Sequence, residues 1–206
     1  MMKSNSLKAL FILFLIFAST NFYGCGYNKL VTLEEGVNSA WSQVENQYQR
    51  RADLIPNLVK TVQGAADFEK SVLTEVTDAR SRVGQMKLSA EDLSDPAKFQ
   101  QFQQAQDQLS SALSRLLVVS ENYPQLKSNE SFLQLQSQLE GTENRISVER
   151  RRYNEVVQNY NTEVRSFPTL IAAKIFGFKD KEYFKSTPGS DRPPGVDFDF
   201  KKKEDK

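Results

Sequence analysis

From Tyr27 to Phe167 the apolar residues recur at steps of three and four, with few interruptions. Side chains spaced that way share one face of an α-helix, so the stretch predicts a mainly α domain. Four stripes are readable. The first is Leu30, Leu33, Val37, Ala40 with Trp41, Val44 and Tyr48; the second is Leu54 with Ile55, Leu58, Val62, Ala65, Phe68, Val72, Val76, Ala79 and Val83. Phe99, Phe102, Ala105, Leu109, Leu113, Leu116 and Val119 form the third, and Phe132, Leu135, Leu139, Ile146, Tyr153, Val157, Tyr160 and Val164 the fourth. A helix with one apolar face must bury it against another. The expected architecture is therefore all-α, an elongated antiparallel up-and-down bundle of about four long helical segments with a short C-terminal helix.

The punctuation divides these stripes. Ser94-Asp95-Pro96 offers a capping side chain and then a proline in the first helical turn, where its missing N–H costs nothing. Tyr123-Pro124 disfavours α geometry at Tyr123 and stops the third helix. Ser128-Asn129-Glu130-Ser131 supplies the next cap, and a continuous helix from Ser128 to Arg165 would run about 57 Å. Pro56 admits two versions: with Asp53 as N-cap it opens a new helix, and otherwise it kinks a longer one. Four segments is the adopted reading. The apolar stretch from Leu170 to Phe178 is expected to cap one end of the bundle rather than lie on a membrane, because Lys174 alone makes a thin polar face.

The two ends are of another kind. Lys3 and Lys8 are the only charges in the first 24 residues and precede the unbroken apolar run from Ala9 to Ala18. This is an export or anchor segment, and Gly24-Cys25 stands where a bacterial lipoprotein signal is cut and its cysteine acylated. A lipid attached at Cys25 is the adopted reading. A short membrane-spanning helix over Leu7 to Tyr23 and a cleaved secretory signal are the alternatives. Residues 186–206 combine a Pro/Gly-rich stretch with a charged terminus, too little apolar area to offset ordering entropy, and are expected to be disordered. Val196, Phe198 and Phe200 alternate there with Asp197 and Asp199. The division is 1–24 anchor or signal, 25–185 bundle, 186–206 tail.

Composition then removes most chemistry. The 206 residues hold no His and one Cys, so histidine-based zinc sites, Ser-His-Asp and Cys-His constellations, internal disulfides and Fe–S clusters are excluded. The 27 basic residues against 26 acidic leave a formal charge of +1, which gathers no nucleic acid. There is no Gly-rich phosphate cradle and no Ser-x-x-Lys pair. The carboxylates Glu45, Asp53, Glu121, Glu140 and Glu143 remain as possible acid–base or cation groups, though polar residues inside bundles more often fix register. The basic runs Arg50-Arg51 and Arg150-Arg151-Arg152 are balanced by Asp53, Glu149 and Glu155 and read as a solvated or ion-paired face. The Gln-rich stretch from Phe99 to Leu109 keeps helical register and reads as an uncharged surface suited to a partner helix. No catalytic residue, metal or cofactor is expected.

Several segments resemble the LemA family of bacterial membrane-associated proteins. They are Tyr27-Asn28-Lys29-Leu30-Val31, the run from Ala40 to Val59 containing Arg50-Arg51-Ala52-Asp53-Leu54-Ile55-Pro56-Asn57, the run from Arg115 to Ser128, and Phe132-Leu133-Gln134-Leu135-Gln136. Leu139-Glu140-Gly141-Thr142-Glu143-Asn144-Arg145-Ile146 and the pairs Tyr153-Asn154, Tyr160-Asn161, Phe167-Pro168 and Tyr183-Phe184 extend the resemblance, as does Phe176-Gly177-Phe178. It implies an antiparallel helical bundle tethered at its N-terminus and lying outside the cytoplasm. It assigns no activity, substrate or cofactor. Within these segments Arg50, Arg51, Asp53, Asn57, Glu121, Glu143, Asn144 and Arg145 lie near stripe positions, and several of them are expected to be partly buried and joined across helices in a register-setting network. Two functions follow. One is a non-catalytic scaffold that binds envelope proteins on its outer faces; the other is an enzyme or cation-binding protein using interior carboxylates.

Overall fold

Pro56 does not end the first helix. In the computed structural model of the protein, which describes the backbone of residues 3–64 and 68–185 and the side chains from residue 26 onward, α1 runs over Lys3–Gln63 with Pro56 inside it. Asp53 is accordingly not an N-cap; it accepts from Gln49 Nε2, one turn earlier, at 2.7 Å. A proline in a helix interior lacks the N–H that would reach the carbonyl four residues back, here that of Ala52. Arg80 of the second helix donates its Nε–H to that Ala52 carbonyl at 3.1 Å. The acceptor freed by the proline is thus satisfied from a neighbouring helix.

This contact makes a prediction. Arg80→Ala is expected to cost about 0.5–1.5 kcal/mol, the net worth of one hydrogen bond. In a Pro56→Ala background the restored backbone N–H takes over the Ala52 carbonyl, and the same change should cost much less. Urea unfolding of the four chains reads this coupling; strictly additive losses would disprove it.

The remaining elements are α2 (Lys70–Gln85), a 3₁₀ turn (Asp92–Ser94), α3 (Pro96–Ser120), α4 (Pro124–Lys127), α5 (Glu130–Arg165) and α6 (Thr169–Phe176). The second stripe is therefore shared by two helices, its beginning closing α1 and its continuation from Val72 lying on α2. The chain leaves the helix at Gly64, where a glycine has the most backbone freedom to lose by staying helical. Asp95 caps α3 by accepting from the N–H groups of Ala97 and Lys98 at 2.9 and 3.2 Å, with Pro96 in the first turn. Asn129 caps α5 through the Phe132 N–H at 3.1 Å.

Cross-helix pairs give the directions. Lys29 with Glu163 and Arg51 with Glu143 make α1 and α5 antiparallel. Trp41 with Phe99 and Tyr48 with Phe102 set α3 parallel to α1, and Arg82 with Gln108 and Arg115 with Glu75 set α2 antiparallel to α3. The all-α, up-and-down bundle expected from the stripes is the observed fold.

The core has two parts. One gathers Ile55, Leu58, Val62, Val72, Val76, Leu109, Leu116 and Leu139. The other holds Leu30, Val37, Trp41, Val44, Tyr48, Phe99, Phe102, Ile146, Tyr153 and Tyr160. Sixteen-residue α2 packs only on the first part; beside the second, Leu93 and Phe184 from non-α segments complete the core. The Cys25 side chain, Ala65 and residues 186–206, including Val196, Phe198 and Phe200, lie outside the described residues. Among the described residues no helix is long and apolar enough to cross a membrane.

Candidate functional site: a polar layer and an amide clasp

The two apolar clusters are separated by a layer of polar side chains. Arg51 is 1% exposed and lies on the seam of α1 between Tyr48 and Ile55. Its Nη1 donates to Ser110 Oγ at 2.7 Å and to Glu143 Oε2 at 2.8 Å, and its Nη2 donates to Gln106 Oε1 at 2.5 Å. Ser110 in turn donates to Glu143 Oε1 at 2.8 Å, closing a ring across α1, α3 and α5. Two turns along α5 and one turn along α1, Arg150 donates to the Tyr48 hydroxyl at 2.6 Å and to Asp107 at 3.2 Å. The Arg51 and Arg150 guanidinium carbons lie 5.3 and 5.6 Å from the centre of the Tyr48 ring, within cation–π range. Burial pushes the Tyr48 phenol up to about 12, against the pull of Arg150 and Arg51. Burial also raises Tyr153 and Tyr160.

The second arrangement holds the C-terminal segment. Asn161 donates its Nδ2 to the Lys181 carbonyl and accepts the Lys181 N–H, both at 2.9 Å. Asn154 does the same to Phe184, again at 2.9 Å in each direction. Gln103 repeats the pattern on Lys185, at 2.6 Å to the carbonyl and 3.2 Å from the N–H. A carboxamide carries a donor and an acceptor side by side, so each can replace both backbone bonds that a neighbouring strand would make. The clasp seats Phe184 against Trp41, Phe99 and Tyr153, with ring centres 6.0, 5.0 and 5.4 Å away. Beside it Lys181 is buried and pairs with Glu34 at 3.0 Å.

Of the residues expected in a network, the structure brings together Arg51 and Glu143. The others are corrections. Arg50, Asp53, Asn57, Glu121, Asn144 and Arg145 are exposed. Glu121 pairs locally with Lys127, and Asp53 with Gln49 on its own helix. Adjacent residues on a helix point about 100° apart, so Arg50 faces water where Arg51 faces the core. For the same reason the basic runs are not simply a solvated face: Arg51 is buried and Arg150 half-buried, while Arg151 and Arg152 are exposed.

The five carboxylates weighed for acid–base or cation chemistry do not converge. Glu45 is exposed on α1, Glu140 accepts from Gln136, and Glu143 serves Arg51. No group of three or more His, Cys, Asp or Glu among the described residues could hold a metal ion.

The glutamines also separate. Gln106 is buried and Gln103 belongs to the clasp, whereas Gln100, Gln101, Gln104 and Gln108 are exposed. Gln100 and Gln104 border a hollow of about 200 Å³ beside Glu182 and Tyr183. Gln108 accepts from Arg82 at 3.1 Å.

Gln106, Ser110, Arg150, Asn154 and Asn161 were missed as interior polar groups. A signal existed for Gln106 and Arg150. Leu30, Val37, Val44, Arg51 and Leu58 repeat every seven residues, as do Phe99, Gln106 and Leu113, and Arg150, Val157 and Val164. A strict heptad turns the same face to the partner, so a polar residue in that series is an interior residue.

These features define an all-α bundle with a charged layer between two apolar cores and its own C-terminal segment clasped along one side. A model of the LemA family matches residues 40–198, and the chain belongs to that family. It is 31% identical over 183 residues to magnetosome protein MamQ 2 of Paramagnetospirillum magneticum, covering 81% of this chain and 67% of that protein. Magnetosome protein MamQ of Magnetospirillum gryphiswaldense is 29% identical with the same coverage. Protein LemA of Metamycoplasma hominis is 25% identical over 87% of this chain and 80% of its own length.

Proposed function

We propose that this chain is a membrane-tethered, non-catalytic scaffold of the bacterial cell envelope. Residues 1–24 serve as signal or anchor, 25–185 as the bundle and 186–206 as a polar tail. Cys25 is the lipid attachment point, and the bundle faces the periplasm or the exterior. The observation that carries this reading is the use made of the buried Arg, Lys, Asn, Gln, Ser and Thr side chains. Arg51 and Gln106 bond across helices, Asn161 and Lys181 hold the C-terminal segment, Thr169 bonds to Glu163, and Ser120 and Thr142 bond to backbone carbonyls of their own helices. Groups engaged as fasteners are not free to bind or activate a substrate. The Arg51 layer then sets the register of α1, α3 and α5, because sliding one helix by a turn would strand a buried cation.

Partners are envelope proteins that meet the outer helical faces. The exposed glutamines of α3 are suited to this, since an uncharged polar surface is desolvated at lower cost than ions are. In-cell crosslinking with mass spectrometry tests the reading. Glu substitutions at Gln100, Gln101 and Gln104 should weaken crosslinks to envelope proteins and leave the melting temperature nearly unchanged. Gln103 is excluded from that set because it holds Lys185. A purified domain that turns over a substrate, with activity abolished by one carboxylate substitution, would overthrow the scaffold reading; a stoichiometric divalent ion held by those carboxylates would replace it with cation binding.

A further inference from the structure

Five of the large apolar side chains that stay exposed gather at one end of the bundle. Phe167 is 82% exposed, Ile175 63%, Phe176 55%, Ile171 41% and Tyr27 39%. Three of them lie on α6: Ile171 and Ile175 on the side away from Thr169, Ala172 and Ala173, which are buried against the bundle, and Phe176 at the helix end. The Tyr27 and Phe176 rings lie 4.7 Å apart, joining α1 to this cluster. α6 therefore caps the bundle, as its apolar sequence suggested, and also keeps a second apolar face that nothing in the bundle covers.

The position of this face indicates its occupant. α6 crosses α1 at Gly26, where an added Cβ would stand 3.8 Å from both Ala172 and Thr169. An ion pair at 2.7 Å between Lys29 and Glu163, and the bond from Thr169 to Glu163, tie the crossing together. Immediately before Gly26 in the same helix comes the apolar stretch ending at Tyr23, about 5 Å away at 1.5 Å per residue. Whether the chain enters the bilayer through that stretch or is held by an acylated Cys25, residue 26 lies at the membrane surface. The α6 face lies there with it. Lys174 and Lys179, both exposed, stand beside the cluster where anionic headgroups would be.

We infer that α6 is a second membrane contact, its Phe167, Ile171, Ile175 and Phe176 side chains seated in the interfacial region of the lipid bilayer that holds the N-terminus. Interfacial helices bury such a face about 5–10 Å into the boundary between headgroups and acyl chains. This rests on the membrane-tethered reading above and adds to it a fixed orientation. A flexible tether would leave the bundle free to tumble, whereas a helix end and α6 together stand it on the membrane. The glutamine face of α3 is then presented at a set height.

Full-length protein reconstituted in vesicles of phosphatidylcholine and phosphatidylglycerol tests this, with or without bromine on the acyl chains. Trp41 is the single tryptophan and common to every sample, so an Ile175→Trp variant adds one reporter at α6 and Leu133→Trp adds a control on α5. The added emission of Ile175→Trp should shift to the blue and be mostly lost with brominated lipid, and that of Leu133→Trp should not change. Flotation of the same samples separates the two ideas. A chain that floats with the vesicles while the emission added by Ile175→Trp stays solvent-like overturns the α6 contact alone. Failure to float overturns both the tether and the contact. A blue shift without bromine quenching that rises with protein density assigns the face to a second copy, and also overturns the inference.

Discussion

Arg51→Ala is expected to lower the melting temperature by about 10 °C. Truncating a large, fully buried side chain and stranding its buried acceptor costs about 3–5 kcal/mol, and for a domain of this size each kcal/mol is about 2–4 °C. The loss is asymmetric. Arg51 is 1% exposed and Glu143 47%, so removal of the arginine leaves Gln106 and a cavity inside the bundle, whereas Glu143 simply turns to water. Glu143→Gln should therefore cost clearly less than Arg51→Ala, since Ser110 and Gln106 still accept from the guanidinium. The apolar triple replacement Arg51→Met, Gln106→Leu, Glu143→Leu should recover much of the stability, because it removes the desolvation cost along with the bonds. Thermal melts followed by circular dichroism compare these chains. Equal losses for Arg51→Ala and Glu143→Gln would show that the charge pair, rather than the buried cation and its neutral partners, dominates.

Phe184→Ala is expected to destabilise by a similar amount, about 3–5 kcal/mol, which is the range for truncating a buried phenylalanine. Phe184 is 7% exposed and closes the side of the second core that α2 does not reach. Its ring stacks on Trp41, with centres 6.0 Å apart and planes inclined by 16°, and the Arg150 guanidinium lies 4.8 Å from its centre. Loss of the ring should also loosen the clasp, so hydrogen exchange at the Lys181 and Phe184 amides should quicken, although Asn161 and Asn154 are unchanged. Unchanged melting with unchanged exchange would mean that residues 181–185 only decorate the bundle. Faster exchange without a shift in melting would make the clasp a local, independently opening unit.

The contrast between Arg50 and Arg51 shows where a reading of the chain succeeds and stops. Helical period, the Asp95 and Asn129 caps, the apolar seams and the absence of histidine are local or compositional properties, so the sequence alone determined an all-α bundle and removed most catalytic chemistry. The LemA segments were legible for the same reason, as runs of adjacent residues. The partner of a polar side chain is a different kind of property. Arg51 meets Glu143 across 92 positions, and whether a charge so placed is paired, buried or wet depends on where another helix arrives. Pro56 looked like a boundary because its effect on its own helix is local, but the Ala52 carbonyl it frees is answered by Arg80 from another helix. Asn154, Asn161 and Gln103 carry ordinary surface side chains until residues 181–185 fold back over them. Those fastenings, and the uncovered face of α6 beside Gly26, were decided by tertiary structure alone, because each is a meeting of segments that no local spacing encodes.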